Sequence, residues 1–455
     1  MKSRTICISD VLTSQRLDVT YYDVLSTHGG VPLFDYVNIH GGKRLPKGET
    51  FSLEKTSYLY LRLADIDDFD KIDYNKLPYI SETLFNTLER YEIVEGEVCI
   101  SIAGTIGKVF ITKNIPVDKR VILTENCAVI RPKAQSLSPA YLQLLLNCTF
   151  VQKQIKRNSI QTTIPKIGLD RIGKLRIPVI PSISIQENII DIYTKAQKAK
   201  LTKDEEARSL LESINAFLLE VLHITSNQQY EKKSIFSTTI SNLIGQRFDV
   251  SSYKEHFEMI SNKYPNRKLS SLVEIDPAIK FAAVNEDTPI SFIPMECIDE
   301  KYGEISEQRE ISISKIKGYT RFEEGDLLWA KITPCMQNGK SAIARHLKNG
   351  VGCGSTEFYV IRPKTEDLLI DYVYLMLRHS EVLKAAQNSF GGSAGQQRVS
   401  SQYLRSIVIP YPNKDIQQSI VDVIFERKQT AKQLQKEGAE LLEKAKQDIE
   451  KIILG

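Results

Sequence analysis

The chain has 455 residues, of which 42% are hydrophobic and 25% charged, so it is a globular chain large enough for two or three domains rather than a disordered or fibrous one. Sixty Lys and Arg oppose 56 Asp and Glu, and the net charge of +4 is too small to indicate a nucleic-acid binder by itself. No apolar run approaches the roughly 18 residues of a membrane span, which predicts a cytoplasmic protein without a membrane partner.

An internal repeat dominates the sequence. The string QRLDV at residues 15–19 returns as QRFDV at 246–250, and VIRPK at 129–133 returns at 360–364. Shorter matches, such as Ile185-Gln186 with Ile416-Gln417, keep nearly the same separation. Collinear matches of this kind predict a tandem duplication of about 230 residues, and two copies are too few for a solenoid.

The first part of each copy has the pattern of strands and turns. Apolar stretches at residues 58–63, 98–102, 109–112 and 128–130 are separated by Gly and Pro, and residues 139–157 have a helical pattern. An α/β domain is therefore predicted in each copy.

The last part of each copy is predicted to be one long helix. Apolar residues follow a heptad spacing after Pro181 and again after Pro412, and each helix of about 40 residues would be roughly 60 Å long. Such a seam needs a partner of similar length, so we expect the two helices to pack on each other. The alternative is that each helix folds back on its own domain.

Motifs for catalysis are missing from the sequence. It has no GxxxxGK[ST] phosphate loop, no GxSxG nucleophile elbow, and no Gly-rich turn with the Asn/Asp-Pro-Pro-Tyr loop of DNA amino-methyltransferases. The seven Cys and six His lack metal-ligand spacing, and the acidic residues 65, 67, 68 and 70 are interpreted as a solvated turn. No catalytic, cofactor or metal site is predicted.

Basic and amide side chains cluster at equivalent places in the two copies. Residues 152–176 carry eleven Lys, Arg, Gln and Asn side chains opposed by one Asp, and residues 378–398 carry a similar set with a Gly-rich segment. Lys and Arg neutralise phosphates, while Gln, Asn and Arg can read base edges. The two clusters favour DNA binding.

Five segments of the chain resemble the DNA specificity subunits of type I restriction-modification systems. The segments are residues 96–107, 177–186 and 409–417, with 330–340 and 354–358 similar to one subgroup. The resemblance covers nearly the whole chain. It implies an α+β protein with two pseudo-symmetric α/β target-recognition domains joined by two long helices in an antiparallel coiled coil.

The implied domains are residues 1–180 and 231–412 for target recognition, with helices at 181–230 and 413–455 for spacing and partner docking. Each domain would read one half of a bipartite DNA site. The helices would recruit two methyltransferase subunits, and restriction or translocase subunits are further candidates. The chain itself would be non-catalytic, with S-adenosylmethionine bound by the methyltransferase.

The DNA-binding residues predicted on this basis combine hydroxyl, amide and basic side chains from both domains. They are Ser101, Thr105, Lys108, Lys153, Arg157, Gln161 and Lys166 in the first domain, and Lys331, Thr333, Lys340, Gln396, Gln397 and Arg398 in the second.

Three alternatives remain at the level of sequence. The openings at residues 16–22 and 247–253 also look like specificity modules of fused restriction-methylation enzymes that cut on both sides of their site. The second alternative is a protein–protein scaffold organised by the paired helices. Its binding to a partner would lack the steep salt dependence of DNA binding. A self-sufficient endonuclease is the third.

Overall fold

The computed structural model describes residues 30–67, 71–159, 165–224, 259–279, 287–390 and 397–454, so the repeated openings at 15–19 and 246–250 lie outside the described residues. The chain divides into two compact units, residues 1–202 with 436–455, and residues 203–435. Over the described ranges, no helix is both long enough and apolar enough to span a membrane.

The described part of the first unit contains two sheets of three or four strands and one short two-stranded sheet. Its described strands are β1 (Val31–Pro32), β2 (Val37–Gly41), β3 (Tyr58–Leu61), β4 (Glu92–Ile93), β5 (Val98–Ser101), β6 (Val109–Ile111), β7 (Arg120–Leu123), β8 (Cys127–Pro132) and β9 (Arg176–Ile177). One sheet is antiparallel with the order β2-β8-β5-β6. The other has the order β3-β7-β4, in which β3 and β7 are parallel.

The predicted helix at 139–157 is two helices. The helices of this part of the chain are α1 (Glu82–Leu88), α2 (Pro139–Asn147), α3 (Thr149–Asn158), α4 (Leu169–Gly173) and the long α5 (Ile183–Val221). Cys148 interrupts the helical pattern with an extended backbone, at ψ 144°. The carboxylate of Glu450 accepts the backbone amides of Thr149 and Phe150, at 3.3 and 3.0 Å, and so caps the second helix.

The second unit repeats this sheet topology. Its described strands are β10 (Asn266–Lys268), β11 (Val273–Ile275), β12 (Pro289–Ile293), β13 (Ile298–Asp299), β14 (Glu304–Ile305), β15 (Arg309–Ser312), β16 (Thr320–Glu323), β17 (Leu327–Ala330), β18 (Ser341–Ile343), β19 (Val351–Gly354), β20 (Phe358–Pro363) and β21 (Val408–Pro410). The order β11-β20-β17-β18 matches the first antiparallel sheet. The order β15-β12-β19-β16 matches the second sheet with β15 added at its edge.

The helices of the second unit follow the same plan. They are α6 (Leu269–Leu272), α7 (Ile370–Leu377), α8 (Ser380–Asn388), α9 (Ser401–Ser406) and the long α10 (Lys414–Leu454). The two long helices have 39 and 41 residues, so the prediction of two helices of about 40 residues is confirmed.

The long helices are antiparallel partners, as predicted. In the first unit, Ile189 near the start of α5 shares a core with Ile449 near the end of α10. In the second unit, Leu218 near the end of α5 shares a core with Ile420 near the start of α10. Gly438, a weak position in the heptad pattern, permits close approach, because a Cβ atom there would lie 3.3 Å from Cα of Lys200.

The repeated VIRPK motif has a structural role in both units. The Arg of each VIRPK string forms an ion pair with an acidic residue of the preceding hairpin, and each acidic side chain is at most 11% exposed. The pairs are Arg131 with Glu97 at 2.5 Å and Arg362 with Asp326 at 2.7 Å. Similarity at these positions therefore reports shared folding rather than shared DNA contacts.

A buried glutamine fastens the start of each long helix. Gln186 and Gln417 are both fully buried. The side-chain oxygen of each accepts a backbone amide 48 residues earlier, Ser138 for Gln186 and Leu369 for Gln417, at 2.9 Å. Each side-chain amide donates to two backbone carbonyls. The repeated Ile-Gln dipeptide thus couples each helix to the domain before it.

Candidate nucleic-acid interface

In the first unit, a short backbone ladder joins two segments that are about 60 residues apart in sequence. The backbone amide of Ile167 donates to the carbonyl of Ile102, in the turn after β5, at 2.9 Å. The amide of Gly104 in the same turn donates to the carbonyl of Pro165 at 3.0 Å. Lys166 therefore lies opposite Ala103, beside the turn that carries Thr105. Both Lys166 and Thr105 are exposed.

The second unit has the same ladder. Val399 donates to the carbonyl of Lys331 at 2.9 Å, and Thr333 donates to Gln397 at 3.0 Å. Arg398 lies opposite Ile332. Four of the predicted DNA-binding residues are therefore neighbours, and the repeat places them where the first unit has Lys166 and Thr105.

Ser101 differs from the expectation of a DNA contact. Its side chain is fully buried, and its hydroxyl donates to the carbonyl of Thr105 at 2.5 Å. It also accepts the amide of Lys108 at 2.9 Å. Because both hydrogen bonds close the turn, Ser101 shapes the loop and is not available to a duplex.

The side chain of Lys108 is also bound to the protein itself. Its ammonium group donates to the carbonyls of Ile66 and Asp67, at 2.9 and 2.6 Å. The charge is thereby directed towards the protein rather than to a phosphate. We assign Lys108, like Ser101, to positioning of the turn between residues 101 and 108.

The helix α3 supplies the other basic candidates of the first unit. Lys153 is exposed and Arg157 is half-buried. Gln152 fixes the helix to the turn, since its side-chain amide donates to the carbonyls of Gly107 and Leu146 at 2.9 and 2.8 Å. Gln161 lies outside the described residues.

In the second unit, the basic candidates Arg398 and Lys331 lie near the carboxylate of Glu357. Arg398 is exposed and binds this carboxylate through two nitrogens, at 2.7 and 2.8 Å. Hydrogen bonding by Arg398 lowers the pKa of Glu357, so the pair is ionised. Lys331 lies beside them, with its ammonium 5.0 Å from the ring centre of Tyr359.

The remaining candidates of the second unit are less accessible. Thr333 and Gln397 are half-buried. Lys340 is also half-buried, and its ammonium donates to the carbonyl of Met295 at 3.3 Å. Gln396 lies outside the described residues.

Arg378 has a role that the sequence pattern did not single out. Its guanidinium donates to the carbonyl of Gly339 and, at 2.8 Å, to that of Glu300. Gly339 corresponds to Gly107, whose carbonyl is held by Gln152. The same turn is therefore fastened by unrelated side chains from different sequence positions, which a search for matching residues cannot detect.

Comparisons with a family model and with known proteins all indicate the same family. The family model described as the Type I restriction modification DNA specificity domain matches residues 31–213 and 246–444. The specificity subunits of the Type I restriction enzymes EcoEI and EcoAI, both from Escherichia coli, are 33% and 34% identical over 186 and 190 residues. Each match covers 41% of this chain and 31% of the relative, so the chain aligns with about a third of these two proteins.

Longer alignments extend the similarity over both units. A putative specificity subunit of the Type I restriction enzyme MjaX from Methanocaldococcus jannaschii is 22% identical over 421 residues, covering 88% of this chain and 87% of the relative. A solved structure from work on complex assembly and conformational transition of the type I R-M system covers 93% of this chain and 97% of its own, at 15% identity with a TM-score of 0.55. That likeness shows a shared fold.

Proposed function

The chain belongs to the type I restriction modification DNA specificity family, and from that membership we propose that it recognises DNA sequence for a restriction-modification complex. Residues 1–180 and 231–412 are the two target-recognition domains, and each reads one half of a bipartite site. The long helices α5 (Ile183–Val221) and α10 (Lys414–Leu454) set the spacing and recruit two methyltransferase subunits together with restriction subunits.

The repeated ladder is the observation that best supports this function. In both units it brings exposed and half-buried basic and polar side chains to one turn beside an antiparallel sheet. Basic side chains hold phosphates, and amide and guanidinium groups read base edges in a groove. The two turns differ in sequence, so the two halves of the site should differ.

The subunit is proposed to act without catalysis of its own. Methyl transfer belongs to the partner methyltransferase, which binds S-adenosylmethionine, and the assembled complex works on DNA in the cytoplasm. Within the described ranges, no group of three or more His, Cys, Asp and Glu is placed to hold a metal ion.

A domain exchange tests the proposal. We expect the complex with type I methyltransferase subunits to methylate a bipartite motif in host DNA. Replacing residues 1–180 with those of another family member should change one half of the motif, and replacing residues 231–412 should change the other half. Methylated positions are mapped by sequencing.

Three results would contradict the proposal. Methylation without sequence preference would favour a scaffold role for the paired helices. A change in both halves after one exchange would exclude the assignment of one domain to each half. Metal-dependent cutting by the isolated chain would instead indicate an endonuclease.

Substitution of Gln397 tests base reading in the second unit. We expect Gln397→Ala to weaken binding to the cognate duplex by about 1–3 kcal/mol and to relax preference at one base pair, because an amide can pair with an adenine edge. Competition binding with duplexes altered at single positions measures both effects.

The matched control is Gln429→Ala, which removes an exposed amide on α10 of the same unit. It should leave affinity and preference unchanged. If Gln397→Ala weakens cognate and random duplexes equally, Gln397 binds the DNA backbone and is not a base reader.

A further inference from the structure

A short basic loop follows β2 in the first unit. Residues 43–47 contain Lys43, Arg44 and Lys47, and no acidic residue lies between 41 and 48. All three cationic side chains are exposed, and Arg44 pairs with Glu125 at the surface, at 2.5 Å. None of the three is among the sequence-based candidates, although three cations in five residues form a local charge signal.

The backbone of this loop is held in place by the sheets. Gly42 donates to the carbonyl of Cys127 and Lys43 donates to that of Leu123, both at 2.9 Å. The hydroxyl of Tyr60 donates to the carbonyl of Lys43 at 2.7 Å. Because these bonds leave little freedom at the start of the loop, its charges are displayed from a fixed support.

Side-chain packing also directs the charges outward. Leu45 packs against the small apolar cluster that includes Tyr60 and Phe85, so the loop has an inner face. Gly42 leaves no space for a side chain, because a Cβ atom would lie 2.1 Å from the carbonyl oxygen of Thr124. The loop therefore lies close against the sheets, with its cations on the solvent side.

Sheet topology places this loop beside the candidate DNA-reading turn. Strands β2 and β5 both run antiparallel to β8, with Gly41 opposite Ala128 and Ser101 opposite Cys127. Both strands therefore end at the same end of the sheet. Two strand spacings separate them, about 10 Å, and the major groove of B-DNA is about 12 Å wide. A loop at that separation can lie over the phosphates that flank a groove occupied by the turn.

We propose that residues 43–47 are a phosphate-binding strap, in which Lys43, Arg44 and Lys47 bind the backbone of the duplex whose bases the turn after β5 reads. This inference rests on the proposed function. The strap carries charge without hydrogen-bond patterns specific to a base, so it contributes affinity and orientation but no sequence preference.

The strap is particular to the first unit. At the equivalent place the sequence from 276 to 287 has Lys280 as its one cation, against Asp276, Glu286 and Asp287. The half of the site read by the first unit should therefore supply more of the salt-dependent binding energy.

The test is a salt titration of DNA binding by the full chain with its methyltransferase subunits. For Lys43→Gln/Lys47→Gln we expect the slope of log K against log salt to fall by about 2, since each phosphate contact contributes about 0.9. The Kd near 0.1 M salt should then rise roughly 10- to 100-fold, equally for cognate and random duplexes. The methylated motif should not change.

The matched control is Lys113→Gln/Lys133→Gln. Both lysines are exposed and lie outside the two basic clusters. Lys113 follows β6, and Lys133 follows Pro132, which pairs with Val37 at the start of β2, so both lie at the opposite end of the sheet. This variant removes the same charge and should retain the wild-type slope.

The outcomes separate the two proposals. If the wild-type complex binds its cognate duplex and the strap variant keeps the wild-type slope of log K against log salt, the strap proposal is wrong and the DNA-recognition function is unaffected. An equal fall for the strap and control variants means that only net charge matters, which also overturns it. A wild-type complex without preference for any duplex overturns the function and the strap together.

Discussion

Replacing Lys428 with Met should remove most of the pH dependence of the second unit's stability between pH 7 and pH 10. Lys428 lies on α10, and its ammonium donates to the hydroxyl of Tyr374 at 2.8 Å and to the carbonyl of Tyr302 at 3.0 Å. Burial, and after it the positive charge of nearby Arg378, lower the pKa of Lys428 from 10.5 to about 7. The side chain fastens α10 to Tyr302 and Tyr374, while its burial disfavours the charged form.

The sign of the effect follows from proton binding. Between pH 7 and about 10, the unfolded chain keeps the Lys428 proton and the folded chain releases it, so stability rises with pH. The gradient is about 1.4 kcal/mol per pH unit, which gives about 3 kcal/mol between pH 7 and pH 9.5. Lys428→Met should lack this gain.

Urea denaturation of the full chain at the two pH values measures the difference. The control is Lys414→Met, which removes an exposed ammonium from the first turn of the same helix and should keep the wild-type pH profile. If Lys428→Met also keeps that profile, the Lys428 ammonium is hydrated in the folded protein and the argument from burial is wrong.

Replacing Gln417 with Leu should destabilise the second unit by about 3 kcal/mol. The substitution leaves the amide of Leu369 and the carbonyls of Asp367 and Pro412 without their buried partner, previously at 2.9, 3.1 and 2.9 Å. An unsatisfied buried polar group costs about 1–3 kcal/mol, and the added apolar contact of Leu offsets part of the total.

Gln418→Leu is the matched control, because Gln418 is the exposed neighbour on the same turn and bonds only Asp422 among the contacts described. It should change the free energy of unfolding by less than about 0.5 kcal/mol. Urea midpoints of the two variants, compared at one pH, give the result. Equal stability would show that water replaces the Gln417 side chain.

Both predictions concern the attachment of α10 to the α/β part of the second unit. Lys428 and Gln417 bind different segments of that part, the loop at Tyr302 and the segment at Leu369. Under the proposed function, loosening either attachment should weaken sequence preference before it abolishes DNA binding.

Sequence reasoning was most successful where the signal was local or repeated. The heptad seam predicted both long helices because apolar spacing reflects helix geometry directly. The VIRPK and Ile-Gln repeats located equivalent positions in the two units. Their physical roles, an ion pair to Glu97 or Asp326 and a buried glutamine lock, became visible only with the contacts.

Side-chain direction was the main source of error. Ser101 and Lys108 are residue types that often contact DNA, yet the Ser101 hydroxyl is bound inside the turn and the Lys108 ammonium is bound to the carbonyls of Ile66 and Asp67. Lys43 and Lys47 lie far from the two basic clusters in sequence, yet strand order places them beside the same turn.

The sequence by itself determined the duplication, the α+β class, the two long helices and the family, because these depend on periodicity and on motifs that neighbouring residues form. Only the tertiary structure decided which basic side chains face solvent and which segments share an edge. Those properties arise from hydrogen bonds and strand pairing between residues 60 or more positions apart, such as Ile102 with Ile167 and Gly42 with Cys127, which no local pattern encodes.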